Sequence, residues 1–223
     1  MVLFIDIAAQ FAPQVPAELL AAIASVESGF QPLSVRTKAS NDTAHSVGVG
    51  VAVIVGHLDA GCDVTVGLMG LDARTLAADG LSYAQAFDAC RNLEAAGRVI
   101  DALWEAAEKM GMTPSKAERH AVRGYFQRSL ARAGTVDAYE ARVMAAKSAL
   151  QACLPRLALK GAVGRPKTIA AHSLMPAQDI KREGKPSQSG VPAVAVASQK
   201  PAWDVYGGMP SSGLVAFSKA VPP

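Results

Sequence analysis

One stretch of this 223-residue chain decides its fold: Ala21-Ala-Ile-Ala-Ser-Val-Glu27-Ser28-Gly29-Phe30-Gln31-Pro32-Leu33. Upstream of it, Pro16 suits the first position of a helix. Apolar residues then follow at helical spacing: Leu19, Ile23, Val26 and Phe30. Gly29 and Pro32 are signals that end a helix. The stretch therefore predicts a helix that carries one acidic residue, Glu27, near its C-terminus.

Glu27 lies one turn after Ile23 and two turns after Leu20, so the three side chains project to one side of the helix. A carboxyl group at the end of an apolar stripe is partly removed from water. Desolvation disfavours the charged form and suits the group to donate a proton near neutral pH, as the general acid of glycosidic cleavage must. An ordinary surface glutamate near a helix end is the alternative that the spacing leaves open.

The rest of the first 150 residues predicts further helices and a small β element. Helices are expected at about 91–109, from Pro114 to about residue 133, and from a Thr135 cap to about residue 151. The valine-rich residues 47–55 favour a strand, whereas 52–60 with Gly61 behind them fit a helix, so this segment stays open. Short extended pairing is expected at 63–68. The predicted class is α+β, predominantly helical.

Composition divides the chain near residue 155. Half of all residues are apolar, only 5% are aromatic, and the net charge of +3 is too small to indicate nucleic acid as a partner. The last 69 residues hold nine of the 13 prolines and carry nine basic and three acidic residues. Such a segment has too little apolar surface to offset chain entropy. We therefore predict a domain at 1–154 and a flexible, basic, disordered tail at 155–223, with one aromatic island, Trp203-Asp204-Val205-Tyr206.

Cysteine and histidine residues predict no metal centre. Three cysteines allow at most one internal disulfide, and Cys62 with Cys90 is the favoured pair because Cys153 lies at the domain edge. No motif implies a metal or an organic cofactor. The first basic residue is Arg36 and the opening apolar run breaks at Asp6, so no clear signal peptide is visible. No run approaches the roughly 18 apolar residues of a membrane span, which predicts a soluble chain without a transmembrane segment.

Several stretches, in the right order over residues 1–150, resemble the lysozyme-like lytic transglycosylases, and more narrowly the transglycosylase component of type IV secretion and conjugation systems. The stretch around Glu27-Ser28 resembles the catalytic Glu-Ser motif. Asp63-Val-Thr-Val-Gly67-Leu68-Met69-Gly70-Leu71-Asp72 resembles a Gly-Leu-Met-Gln-Ile-Asn segment. Phe87-Asp88-Ala89-Cys90-Arg91-Asn92-Leu93 resembles Phe-Asp-Pro-Cys-x-Asn-Leu. Tyr125 and Tyr139-Glu-Ala-Arg142-Val143 fall where that family has its two tyrosine-bearing segments.

The resemblance implies a lysozyme-like fold and a reaction. Such enzymes cleave the β-1,4 bond between N-acetylmuramic acid and N-acetylglucosamine in peptidoglycan and close a 1,6-anhydro ring. Glu27 would be the catalytic acid and then the base. The residues implied to bind substrate are Ser28, Leu68, Met69, Gly70, Tyr125 and Ser129, with the 67–70 backbone pairing with the acetamido group. The resemblance also implies a periplasmic location, peptidoglycan strands as the ligand, and proteins of the secretion apparatus as partners.

Some positions depart from the family pattern. Gly70 stands where the family has Gln, and Asp72 replaces an Asn. After Tyr125 the family usually has a Gly-Asn pair, where this chain has Gln127-Arg128-Ser129, and Phe11 stands at a common cysteine position. Because one lost polar contact costs about 1–3 kcal/mol, several losses would leave little activity.

The departures keep other functions open beside the active enzyme. One is an inactive member of the same family that binds glycan or assembly partners without cleaving. Another is hydrolysis with Asp72 as the second carboxylate, although Asp72 is better explained as a cap for the following turn. The last is a partner-binding role for the basic tail.

Overall fold

A computed structural model describes residues 2–159 of the chain. Most of the predicted tail, including its aromatic residues at 203–206, lies outside the described residues. The described part is mainly helical and contains a small antiparallel sheet, as predicted. No helix within residues 2–159 is long and apolar enough to cross a membrane.

The helices of the described part follow one another with short connections. They are α1 (Phe4–Phe11), α2 (Ala17–Ser28), α3 (Val47–Asp59), α4 (Ala73–Ala78), α5 (Tyr83–Ala86), α6 (Ala89–Lys109), α7 (Pro114–Gln127) and α8 (Val136–Leu150), followed by a short 3₁₀ turn at Leu154–Arg156. The helix predicted around Glu27 is α2, and those predicted at 91–109 and after Thr135 are α6 and α8. Thr135 caps α8 as expected, since its Oγ1 accepts a hydrogen bond from the backbone N–H of Ala138 at 3.2 Å.

The strands are short. A four-stranded antiparallel sheet has the order β3 (Asn41–Thr43), β2 (Ser34–Arg36), β4 (Thr65–Val66) and β5 (Leu71–Asp72). Its strand β4 confirms the pairing expected at 63–68. A second pair joins β1 (Val2–Leu3) to β6 (Ala158–Leu159), so the start of the chain lies against the end of the described part.

Residues 47–59 form helix α3 rather than a strand, which settles the segment that the sequence left open. Ser46 caps the helix by accepting from the N–H of Val49 at 3.3 Å. Within α3 only Gly50 and Ile54 are buried. A Cβ at Gly50 would lie 2.6 Å from the Phe87 ring, so the glycine lets the helix pack directly on that ring.

Helix α2 occupies the centre of the core. Its residues from Leu19 to Ala24 are completely buried, and it packs against α8 and α1. Three of those six residues are alanines, whose small side chains allow close helix approach. This central position means that a side chain at the end of α2 enters the interior of the domain instead of the solvent.

Two predictions about the chain are wrong. Helix α7 ends at Gln127, six residues before the predicted end at 133, because the side chain of Arg132 turns back and binds the last carbonyl groups of the helix. The favoured disulfide does not form: Cys62 is exposed beyond α3, whereas Cys90 is buried at the start of α6. Burial raises the pKa of the Cys90 thiol to about 11.

Candidate active site

Glu27 is the acidic residue at the centre of the site. It lies one residue before the end of α2, its side chain is fully enclosed, and two donors meet on one of its oxygens. Oε1 accepts a hydrogen bond from Nε of Arg132 at 2.6 Å and another from the hydroxyl of Tyr139 at 2.7 Å. The surface-glutamate alternative is therefore excluded, and the predicted burial of this carboxyl group is confirmed.

Arg132 connects three segments of the chain around that carboxylate. Its Nη1 donates to the carbonyl of Tyr125 at 2.7 Å, its Nη2 donates to the carbonyl of Gly70 at 2.9 Å, and the guanidinium stacks 4.6 Å from the centre of the Tyr125 ring. Burial opposes the positive charge, but the nearby Glu27 carboxylate outweighs it and the pKa of Arg132 is raised. Arg132 is therefore a permanent cation in the interior, and no sequence motif indicated it.

Tyr139 and Tyr125 are buried phenols. Burial, followed by the neighbouring Glu27 charge, raises the pKa of Tyr139 well above its ordinary value, and burial likewise raises the pKa of Tyr125. Both hydroxyls therefore remain protonated donors through the neutral range. Tyr125 uses its hydroxyl to bind the carbonyl of Met69 at 2.7 Å, so it holds the loop before β5.

The second oxygen of Glu27 has different surroundings. Oε2 is buried, and no described group donates a hydrogen bond to it. It faces Gly70, whose φ is 65°; a Cβ at this position would lie 2.5 Å from Oε2. Gly70 is thus needed both for its left-handed backbone and for the space beside the carboxylate. With Oε1 occupied by two donors, Oε2 is the oxygen on which a proton can be gained or released.

The 67–70 loop uses its polar groups internally in this structure. Asn92 binds it from α6, accepting from the N–H of Met69 at 2.7 Å and donating to the carbonyls of Val66 and Ala86 at 3.0 and 2.8 Å. The Ser28 hydroxyl donates to the carbonyl of Leu68 at 2.7 Å. Leu68 and Met69 are fully buried. Ser28, Leu68 and Met69, which the resemblance assigns to substrate binding, lie in the interior near Glu27. In this structure the Ser28 hydroxyl and the Met69 N–H form hydrogen bonds within the protein that stabilise the 67–70 loop.

Ser129 and Asp72 line the same recess. Ser129 is 7% exposed, and its hydroxyl accepts from the N–H of Ala131, which shapes the turn that carries Arg132. Asp72 caps α4, since its Oδ1 accepts from the N–H of Thr75 at 2.7 Å. This is the capping role that the sequence favoured for Asp72.

The cavity lined by Gly70 and Arg132, two residues that contact Glu27, is small. The cavity bounded by Gly70, Tyr125, Arg128 and Arg132 has a volume of about 10 Å³, which is about the volume that one water molecule requires. A sugar ring does not fit there in the described conformation. Any substrate has to displace the turn between Arg128 and Arg132 or bind outside it.

Comparisons with known proteins identify the family of this chain. The family model described as Transglycosylase SLT domain matches residues 5–132, a range that includes both Glu27 and Arg132. The type IV secretion system protein virB1 of Brucella abortus (strain 2308) is 33% identical over 103 residues, which are 45% of this chain and 43% of that protein. Protein virB1 of Rhizobium radiobacter is 31% identical over 156 residues, 69% of this chain and 63% of that protein.

The chain spans less than two thirds of the length of these relatives. No solved structure matches the chain.

Proposed function

Since this chain belongs to the family of transglycosylase SLT domains, we propose that it is a peptidoglycan lytic transglycosylase with Glu27 as its one catalytic carboxylate. The observation that carries this proposal is the unequal environment of the two carboxylate oxygens. Oε1 is held by Arg132 and Tyr139, while Oε2 is buried without a donor. Such an oxygen is oriented for proton transfer and shielded from bulk water.

The proposed reaction needs one carboxyl group in two protonation states. Glu27 first donates the proton on Oε2 to the glycosidic oxygen, and the bond from that oxygen to the anomeric carbon breaks. The carboxylate then accepts the proton of the 6-hydroxyl of the same sugar, whose oxygen bonds to the anomeric carbon. The product carries a 1,6-anhydro ring, no water is consumed, and Glu27 regains its proton.

The closed conformation adds a requirement to this mechanism. The ion pair between Arg132 and Glu27 is enclosed in the described conformation. Substrate entry therefore requires the turn between Arg128 and Arg132 to move. Loops that close over an active site commonly move in this way.

The relatives suggest the biological setting. The relative from Brucella abortus is named a type IV secretion system protein. For this chain we propose local opening of the peptidoglycan layer for a secretion or conjugation apparatus, in the periplasm, with glycan strands as substrate and proteins of the apparatus as partners.

One alternative is supported by a specific observation. The ion pair between Arg132 and Glu27, together with a cavity of about 10 Å³, describes a carboxylate that is neutralised and enclosed. The replacements at Gly70 and at Arg128-Ser129 point the same way. Under this alternative the protein binds peptidoglycan or assembly partners of the same apparatus without cleaving the glycan.

Product analysis decides between the two functions. Purified protein is incubated with peptidoglycan, and soluble products are identified by mass spectrometry for wild type and for Glu27→Gln. We expect anhydromuropeptides from wild type and none from the variant. Glu18→Gln, on the same helix but at its first turn, is the matched control and should release wild-type products.

The remaining outcomes are also informative. Reducing-end products would show hydrolysis and contradict the transglycosylase reaction. An absence of products from both proteins, with cosedimentation on peptidoglycan retained, would favour the non-cleaving alternative. A thermal melt of Glu27→Gln must accompany the assay, because the substitution leaves Arg132 without its buried charge partner.

A further inference from the structure

We infer that a basic groove beside the site binds carboxylate groups of the peptide stems on the glycan strand, so that the protein selects strands that carry peptides. The inference rests on the proposed function, because it assigns a preference to the same substrate. The groove, called here the arginine groove, lies between α4 and α7 and is bounded by Arg74, His120, Arg123 and Arg128.

The arginine groove is large, and its ionisable side chains are all basic. Its volume is about 570 Å³, far larger than the cavity beside Gly70, and every ionisable residue that lines it is basic. The surrounding domain has the opposite balance, since residues 1–154 contain 13 basic and 16 acidic residues. A positive groove on a mildly acidic domain focuses anions at that position.

Two of its arginines are available to a ligand. Arg123 is already paired with Asp137 at 2.5 Å and with Glu140 at 2.9 Å. Arg74 and Arg128 are exposed, and neither forms an ion pair or a side-chain hydrogen bond with another described residue. Their guanidinium groups therefore have their full donor capacity, and the planar fork of an arginine matches a carboxylate with two parallel hydrogen bonds.

The arginine groove shares Arg128 with two cavities near the site. Arg128 lines the arginine groove and also the small cavity formed with Gly70 and Arg132. It lines a third recess of about 190 Å³ together with Asp72 and Ser129. A chain of sugars crossing the loop at Gly70 would therefore bring its substituents to Arg128 and then to Arg74.

The chemistry of the substrate identifies the ligand. The N-acetylated sugars of the glycan are uncharged, so arginines gain little by facing them. The peptide stems attached to the muramoyl residues bear free carboxylates at regular intervals along the strand. Arg128 stands in the segment that departs from the family pattern after Tyr125.

The test compares glycan strands that carry peptides with strands from which an amidase has removed the peptides. The full chain is used as wild type, as Arg74→Gln/Arg128→Gln, and as Arg91→Gln. Arg91 is an exposed arginine at the first turn of α6, away from the groove, and is the matched control. Binding by cosedimentation and cleavage by product release are measured at low and high salt.

We expect wild type and Arg91→Gln to bind peptide-bearing strands about tenfold more tightly than bare strands at low salt. The preference should shrink at high salt, because exposed charges are screened. The double variant should lose the preference while binding bare strands as wild type does. If wild type binds both strands equally, or if the double variant loses affinity for both equally, the inference is wrong.

The two proposals fail in distinguishable ways. A wild type that binds peptide-bearing strands selectively but releases no product supports the arginine groove and contradicts lysis. A wild type that cleaves both kinds of strand with the same KM supports lysis and contradicts the arginine groove.

Discussion

At the scale of single residues, three residues set the environment of the Glu27 carboxylate. Arg132 and Tyr139 both donate to Oε1 of Glu27, while Gly70 leaves room beside Oε2. A buried ion pair is costly to desolvate and becomes favourable only when its remaining donors are used. Arg132 meets that condition, because its other nitrogens bind the carbonyls of Gly70 and Tyr125.

Alanine at Gly70 tests the space beside the carboxylate. A left-handed backbone costs an L-residue about 1 kcal/mol, and the new Cβ would also lie 2.5 Å from Oε2. We expect Gly70→Ala to lower the free energy of unfolding by about 3 kcal/mol. Gly80→Ala is the control, since Gly80 has a φ of 62° and open space around it. Equal losses in the two variants in urea unfolding would mean that the contact with Glu27 has no effect.

Removing Arg132 tests the ion pair. Arg132→Met leaves the Glu27 carboxylate buried without its cation, and breaking such a pair costs about 3–5 kcal/mol. The double variant with Glu27→Gln should lose less than the sum of the two single losses, because the buried charge is no longer present. Urea unfolding of the four proteins gives the coupling energy. Arg128→Met, an exposed arginine in the same turn, should change stability by less than about 0.5 kcal/mol; strict additivity would contradict coupling.

At the scale of elements, helix ends bring the site together. Helix α2 ends at Gly29 and Phe30, both with positive φ, immediately after Glu27 and Ser28. Helix α7 ends where Arg132 binds its last carbonyls, and α6 reaches the 67–70 loop through Asn92. These contacts join helices to loops, and the order of the site depends on them.

Asn92 connects α6 to the 67–70 loop with three hydrogen bonds. Its side chain satisfies one backbone N–H and two backbone carbonyls, and a buried backbone group left without a partner costs about 1–3 kcal/mol. We expect Asn92→Ala to lower the free energy of unfolding by at least about 3 kcal/mol. Asn41→Ala, at an exposed position in β3, should have little effect. Chemical unfolding measures both, and a stable Asn92→Ala would show that water replaces the amide.

At the scale of the whole molecule, buried acidic groups link stability to alkaline pH. The pKa values of Tyr139 and Tyr125 are raised in the folded state, mainly by burial, relative to an unfolded value of about 10. The folded protein therefore keeps protons that the unfolded chain releases above pH 10. This contribution to stability is complete below pH 10 and decreases as the pH rises further.

The alkaline range accordingly provides a test of the buried tyrosines. Between pH 10 and 11 the free energy of unfolding should fall by up to about 1.4 kcal/mol per pH unit for each tyrosine. Tyr139→Phe should show a shallower slope, whatever its stability at neutral pH, because one titrating group is gone. Tyr83→Phe, a half-exposed tyrosine in α5, is the control and should retain the wild-type slope. Equal slopes for wild type and Tyr139→Phe would contradict the burial of this hydroxyl.

The sequence by itself determined the elements whose signals are local. The apolar spacing and the Gly29 stop specify α2 and the burial of Glu27. The Thr135 cap specifies α8, and Asp72 is a helix cap in the structure, as the sequence predicted. These features depend on residues within one or two turns, so a pattern predicts them. Resemblance then supplied the family.

Only the tertiary structure decided what surrounds the carboxylate. Arg132 is separated from Glu27 by 105 residues and Tyr139 by 112, and no local pattern records such a pairing. Residues 47–59 become helix α3 although their valines favour a strand, because Gly50 packs on Phe87. The early end of α7 has the same origin, since Arg132 binds the helix carbonyls. Packing between distant segments selects among local structures that the sequence alone leaves nearly equal in energy.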